Sequence, residues 1–94
     1  MKEGKRKFIS NNLRRCRKIR GLTQRQVAKI MELKSTAMIS RWEQGSCMPE
    51  TMNLGRLAGI YRTTVDALLR EYFQSLHRKM VQKEEMILKN TMDV

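Results

Sequence analysis

The side chains best suited to chemistry lie in the stretch "STAMISRWEQG", residues 35–45. Read as a helix from Ser35 to Gln44 and advanced about 100° per residue, it carries Ile39, Trp42 and Met38 on one side. Ala37, Ser40, Arg41 and Gln44 fall on the other, which is slim and rich in hydrogen-bonding groups. Arg41 has the forked donors that match a guanine edge, and Gln44 matches adenine or a phosphate. The methyl groups of Thr36 and Ala37 match that of thymine, and Ala37 and Ser40 let the helix backbone come close to its target. An amphipathic helix with a small polar face and no reading role fits the same pattern, so this stretch alone leaves both readings open.

Other chemistries find no support. His77 is the single histidine, and there is no Gly-rich phosphate loop and no pair of carboxylates on a shared face, so no acid, base and nucleophile can be assembled. An enzyme is not expected, and no cofactor is implied. Cys16 and Cys47 lie thirty-one positions apart with no CxxC, which excludes a plausible zinc set and points to two reduced thiols, Cys16 packing in a helix and Cys47 in a loop.

Charge narrows the choice of partner. The 94 residues carry a formal net charge of +11, and residues 1–20 alone hold nine Lys/Arg against one Glu. Such an excess suits a polyanion, nucleic acid first and an anionic membrane surface second. The membrane reading is the poorer because no amphipathic apolar stripe accompanies Lys2 to Lys7. No apolar segment follows Met1 as in a leader, and no run approaches the 18 or so residues of a span, so the expected location is cytoplasmic, in contact with a bacterial nucleoid.

The elements that must position the polar face are helical. One proline, few glycines and long runs of Leu, Met, Lys, Arg, Gln and Glu favour an all-α fold, and 40% hydrophobic content in this length suits one core. A basic, mobile arm is expected over residues 1–9. A first helix follows from Ser10 to Arg20, capped by Ser10, Asn11 or Asn12 and stopped by Gly21. Thr23 with Gln26 forms a capping box, and Leu22 with Val27 a hydrophobic staple, so a second helix starts at Gln24 and buries Val27, Ile30 and Met31. Ser35 caps the third and Gly45 ends it. Pro49 or Glu50 opens a fourth that buries Leu54, Leu57, Ala58 and Tyr61. Thr63 or Thr64 caps a fifth, with Asp66 in its first turn and Val65, Leu68 and Leu69 turned inward. Beyond Leu69 a long tail helix runs to about Lys89, with Leu69, Tyr72, Phe73, Leu76, Met80 and Ile87 along one narrow face that Lys83 interrupts.

In that order the segments "LRRCRKIRGLTQRQVAKIMELKSTAMISRWEQG" and "MPETMNLGRLAGIYRTTVDALL" closely resemble the lambda-repressor-like (Cro/repressor, XRE-type) helix-turn-helix family over about residues 13–69. The resemblance implies a five-helix domain, here residues 10–69, whose third helix enters the major groove of double-stranded DNA while helix ends and loops grip phosphate. It implies base reading by Thr36, Ala37, Ser40 and Arg41, and phosphate binding by Gln24, Arg25, Ser35, Gln44 and Ser46. It implies an ion pair of Arg17 with Glu43 that positions the reader without reading. Between Leu33 and Ile39 this chain carries one residue more than the commonest family spacing, which the turn or the start of the third helix must absorb.

The function expected is a sequence-specific transcriptional regulator, a repressor that occupies a palindromic operator as a homodimer. Lys5, Arg6 and Lys7 would follow a groove or the phosphate backbone, or serve solubility. Residues 70–94 form a helical extension that pairs two copies, clasps a protein partner as in an antitoxin or mobile-element control protein, or folds back on the domain. An adaptor for protein or RNA without sequence preference is the remaining alternative, distinguished by binding that falls with salt yet shows little discrimination among DNA sequences.

Overall fold

The computed structural model describes residues 9–90. The basic arm expected over residues 1–9, with Lys5, Arg6 and Lys7, lies outside the described residues except for Ile9, as do the last four residues of the extension. The described residues are all-α: α1 (Leu13–Ile19), α2 (Gln24–Ile30), α3 (Ala37–Gln44), α4 (Thr51–Tyr61), α5 (Val65–Leu68) and α6 (Arg70–Asn90).

Capping chemistry sets most boundaries. At the start of α2 the Gln26 amide N–H donates to Thr23 Oγ1 at 3.0 Å and the Thr23 N–H to Gln26 Oε1 at 2.9 Å, a complete capping box. Thr64 Oγ1 accepts the Ala67 N–H at 3.1 Å and opens α5. Gly21 and Gly45 take left-handed conformations after α1 and α3, with φ of 73° and 78°. Glu32 and Arg62 do the same after α2 and α4, with φ of 60° and 59°, at the steric cost a side chain carries there.

Three expected details differ. The first helix begins at Leu13 instead of Ser10, with Asn12, one of the three expected caps, at the cap position but without a side-chain bond to the helix. Asn11 Oδ1 accepts the Leu13 N–H at 3.0 Å, while its amide donates to the carbonyls of Ile9 at 2.9 Å and Trp42 at 3.0 Å. The Asn12 amide donates to Ala67 at 3.0 Å. The third helix begins at Ala37 instead of Ser35: Ser35 Oγ accepts the Ala37 N–H at 3.2 Å from inside the turn, and Thr36 occupies the cap position without a side-chain bond. Ile30 is 56% exposed instead of buried, since the two turns of α2 are filled inward by Val27 and Ala28 with Met31 beside them.

The core draws on every helix of the domain: Leu13, Val27, Ala28, Ile39, Trp42, Leu54, Leu57, Ala58, Tyr61, Leu68 and Leu69 are all buried. Trp42 and Ile39 bind α3 into it, 3% and 1% exposed. At the root of α6, Tyr72 and Phe73 pack against this core with ring centroids 6.2 Å apart. No residue of α6 is fully buried, and the helix projects to give the described chain extents of 57 × 37 × 21 Å.

Candidate nucleic-acid interface

α3 is held by its inner side and by its end. Inside, Ile39 and Trp42 sink into the core. At the end, the Glu43 side chain, 5% exposed, gathers three donors: Arg17 Nε at 2.6 Å, Arg17 Nη2 at 3.0 Å and Gln24 Nε2 at 3.0 Å. Arg17 also donates from Nη1 to the Leu22 carbonyl at 2.9 Å, so α1, the entry to α2 and α3 meet on one guanidinium. Such a bidentate pair fixes an angle between helices as well as a distance. It also places a counter-charge on a carboxylate at the end of the exposed face. The hydrogen bond to Glu43, outweighing burial, raises Arg17 above its ordinary value and keeps it charged.

Tyr61 lies beneath this pair, buried, and its hydroxyl has no hydrogen-bond partner among the described residues. Burial, with the Glu43 charge second, pushes the phenol up to about 12.

Past Gln44 the chain turns away sharply. The Ile9 N–H donates to the Gly45 carbonyl at 2.9 Å, and a Cβ at position 45 would stand 2.6 Å from the Ile9 carbonyl oxygen. Gly45 is therefore required twice, for its positive φ and for the approach of the Ile9 backbone.

The outer side of α3 is left to solvent. Ala37, Arg41 and Gln44 are exposed and Ser40 is half-buried. Gln44 Nε2 donates to Ser40 Oγ at 3.2 Å, and Arg41 Nη1 lies 3.5 Å from Met38 Sδ, a weak contact that a stronger acceptor would displace. Ser46 Oγ donates to the Arg41 carbonyl at 3.2 Å just past the helix end. Ser35 and Thr36 stand in the turn that precedes the helix, Ser35 exposed and Thr36 half-buried.

Two shallow hollows flank this face. One brings Gln24, Ser40 and Gln44 together with Arg14, Arg17 and Glu43. The other gathers Arg25, Ser35 and Thr36 with Lys29 and Lys34. The sequence reading did not single out Lys29 and Lys34; the signal available was their spacing of five across the end of α2, which only the course of the turn converts into proximity. Of the residues named from sequence, Gln24, Ser40 and Gln44 thus share one hollow with Arg17 and Glu43, and Arg25, Ser35 and Thr36 share the other.

Among the described residues no group of three or more His, Cys, Asp and Glu is placed to hold a metal, and Cys16 and Cys47 are free and half-buried. No described helix is long and apolar enough to cross a membrane. A family model described as helix-turn-helix matches residues 13–68, more than half of the chain. No curated protein and no solved structure matches it.

Proposed function

We propose that this chain, which belongs to the lambda-repressor-like helix-turn-helix family, is a sequence-specific transcriptional regulator that represses by occupying a palindromic operator on double-stranded DNA as a homodimer. The observation that carries the reading is the division of α3: Ile39 and Trp42 are buried while Ala37, Arg41 and Gln44 face solvent, between two hollows lined by basic and amide side chains. Any surface helix keeps a polar side in water; the basic and amide side chains of the two flanking hollows are what favour a polyanion on this one.

In this reading Thr36, Ala37, Ser40 and Arg41 contact base edges, Arg41 through a bidentate bond to guanine. Gln24, Arg25, Ser35, Gln44 and Ser46 hold phosphate on either side and fix the register. Arg17 and Glu43 hold α3 at its angle without touching DNA. Residues 10–69 are the DNA-binding unit, and residues 70–94 supply the contact between protomers. The net charge of +11 supplies attraction that falls with salt and does not depend on sequence.

Selection of bound duplexes from a random library at near-physiological salt tests this. Enrichment of a two-fold symmetric site supports it, and equal retention of all sequences ends it. A protein other than a second copy on residues 70–94 is the competing reading of the extension, favoured by the exposed apolar side chains of α6.

A further inference from the structure

Leu76, Met80, Lys83 and Ile87 fall within a stripe about 60° wide along α6. Leu76, Met80 and Ile87 are 39%, 56% and 59% exposed. One turn earlier the same side of the helix carries Tyr72 and Phe73, which are packed against the domain's own core. The domain therefore sits on this side of α6 and stops where the stripe begins.

We infer that the stripe is occupied by α6 of a second copy running antiparallel, with Leu76 opposite Ile87 of the second copy and Met80 opposite its Lys83. The inference rests on the reading of the chain as a dimeric DNA binder and specifies how the dimer is built. Sterics decide the direction. In a parallel pair both domains, each seated on the facing side at Tyr72 and Phe73, would claim the same space. In the antiparallel register Phe73 comes level with Asn90 of the second copy, so the two domains stand at opposite ends of the seam.

Charge favours the same direction. Parallel pairing sets two Lys83 ammonium groups face to face within the seam. Antiparallel pairing staggers them, lays each Lys83 stem along a Met80 with its charge reaching water, and brings His77 beside Glu84 of the second copy. The gain open to a parallel pair, Lys79 beside Glu84 on the exposed rim, is of the kind that contributes little.

At the helical rise, this register places the Arg70 levels of the two copies about 34 Å apart along the seam, so the two DNA-binding units are carried at its opposite ends. The seam spans only about four turns, so association is weak in free solution and is completed on DNA, where binding of one copy raises the effective concentration of the other.

Disulfide trapping tests the register. Full-length chains with Cys16 and Cys47 replaced by alanine carry either L76C or I87C, both on exposed positions of α6 outside the core. Oxidation of the mixture is expected to give several times more cross-linked dimer than either variant alone. Equal or greater cross-linking of L76C with itself would mean a parallel pair and overturn the proposal, as would the absence of dimer in every sample. Lys83→Leu is expected to tighten self-association at least tenfold by sedimentation, and unchanged or weaker association would overturn the register. Duplex selection on the same proteins separates the two readings: an enriched half-site without cross-linking retires the α6 pairing alone, and cross-linking without an enriched site retires DNA reading alone.

Discussion

α3 and α6 both turn a long side to solvent, yet the shorter is much the better anchored. α3 has eight residues, and two of them are buried in the core while a third, Glu43, is clamped by Arg17 and Gln24. α6 has twenty-one residues and none is fully buried. An isolated helix of eight residues would not persist in water, so α3 owes its existence to what lies behind it. α6 has the length and composition to be helical by itself and is tied down only at its root. The difference suits two tasks: reading base edges needs a helix fixed to a fraction of an ångström, whereas a seam of side chains can settle on contact.

The comparison can be broken from the side of α3. Arg17→Ala is expected to cost roughly 3–5 kcal/mol of stability, because it leaves Glu43 buried without its counter-charge. Denaturant unfolding measures this, and a loss under about 1 kcal/mol would mean that the pair is a surface ornament. Truncating one apolar side chain on each helix sharpens the contrast. Ile39→Ala should cost about 2–4 kcal/mol through the cavity it opens, and Met80→Ala should stay within about 0.5 kcal/mol, both by the same unfolding measurement at low protein concentration.

Changes confined to the outer side of α3 should act on binding alone. Arg41→Ala is expected to lose roughly 1–3 kcal/mol at one base position while leaving unfolding unchanged, whereas Arg25→Ala should weaken all sequences alike and lower the salt slope by about one. Competition binding over single-base variants of the selected site separates the two. A small effect is expected at Tyr61. Removing a buried hydroxyl that has no partner among the described residues makes Tyr61→Phe neutral or stabilising by up to about 1 kcal/mol. The raised phenol adds a sign: its contribution is intact below pH 10 and is lost as pH rises through about 12, where the phenolate would have to form inside the core. Tyr61→Phe should remove that part of the alkaline loss, which thermal melts across this range would detect.

Much of the fold was legible because local chemistry announced it. The Thr23 and Gln26 box, the stop at Gly45, a cap at Thr63 or Thr64 and the inward side of α4 all follow from spacing alone, and the structure selects Thr64. What was not legible depends on contacts far along the chain. Asn12 stands at the cap of α1 as its residue type suggests, but the acceptors of the Asn11 and Asn12 amides at Trp42 and Ala67 are invisible in a window of a few residues. Ser35 looks like the start of a helix and is a turn residue two positions early. The stops at Glu32 and Arg62 carry no glycine to mark them. The two sides of α3 could be separated by angle, since burial of Ile39 and Trp42 is a matter of period. That Arg17 reaches Glu43 came only from the resemblance, since a separation of twenty-six positions hides it from any local pattern.

The crossing of Ile9 over Gly45 has a consequence for how the molecule tolerates change. Neighbouring positions 44 and 46 face water and would accept many letters in a randomised library scored for folding. Position 45 would favour glycine strongly, because every other amino acid must both enter an unfavourable backbone region and push aside the Ile9 main chain.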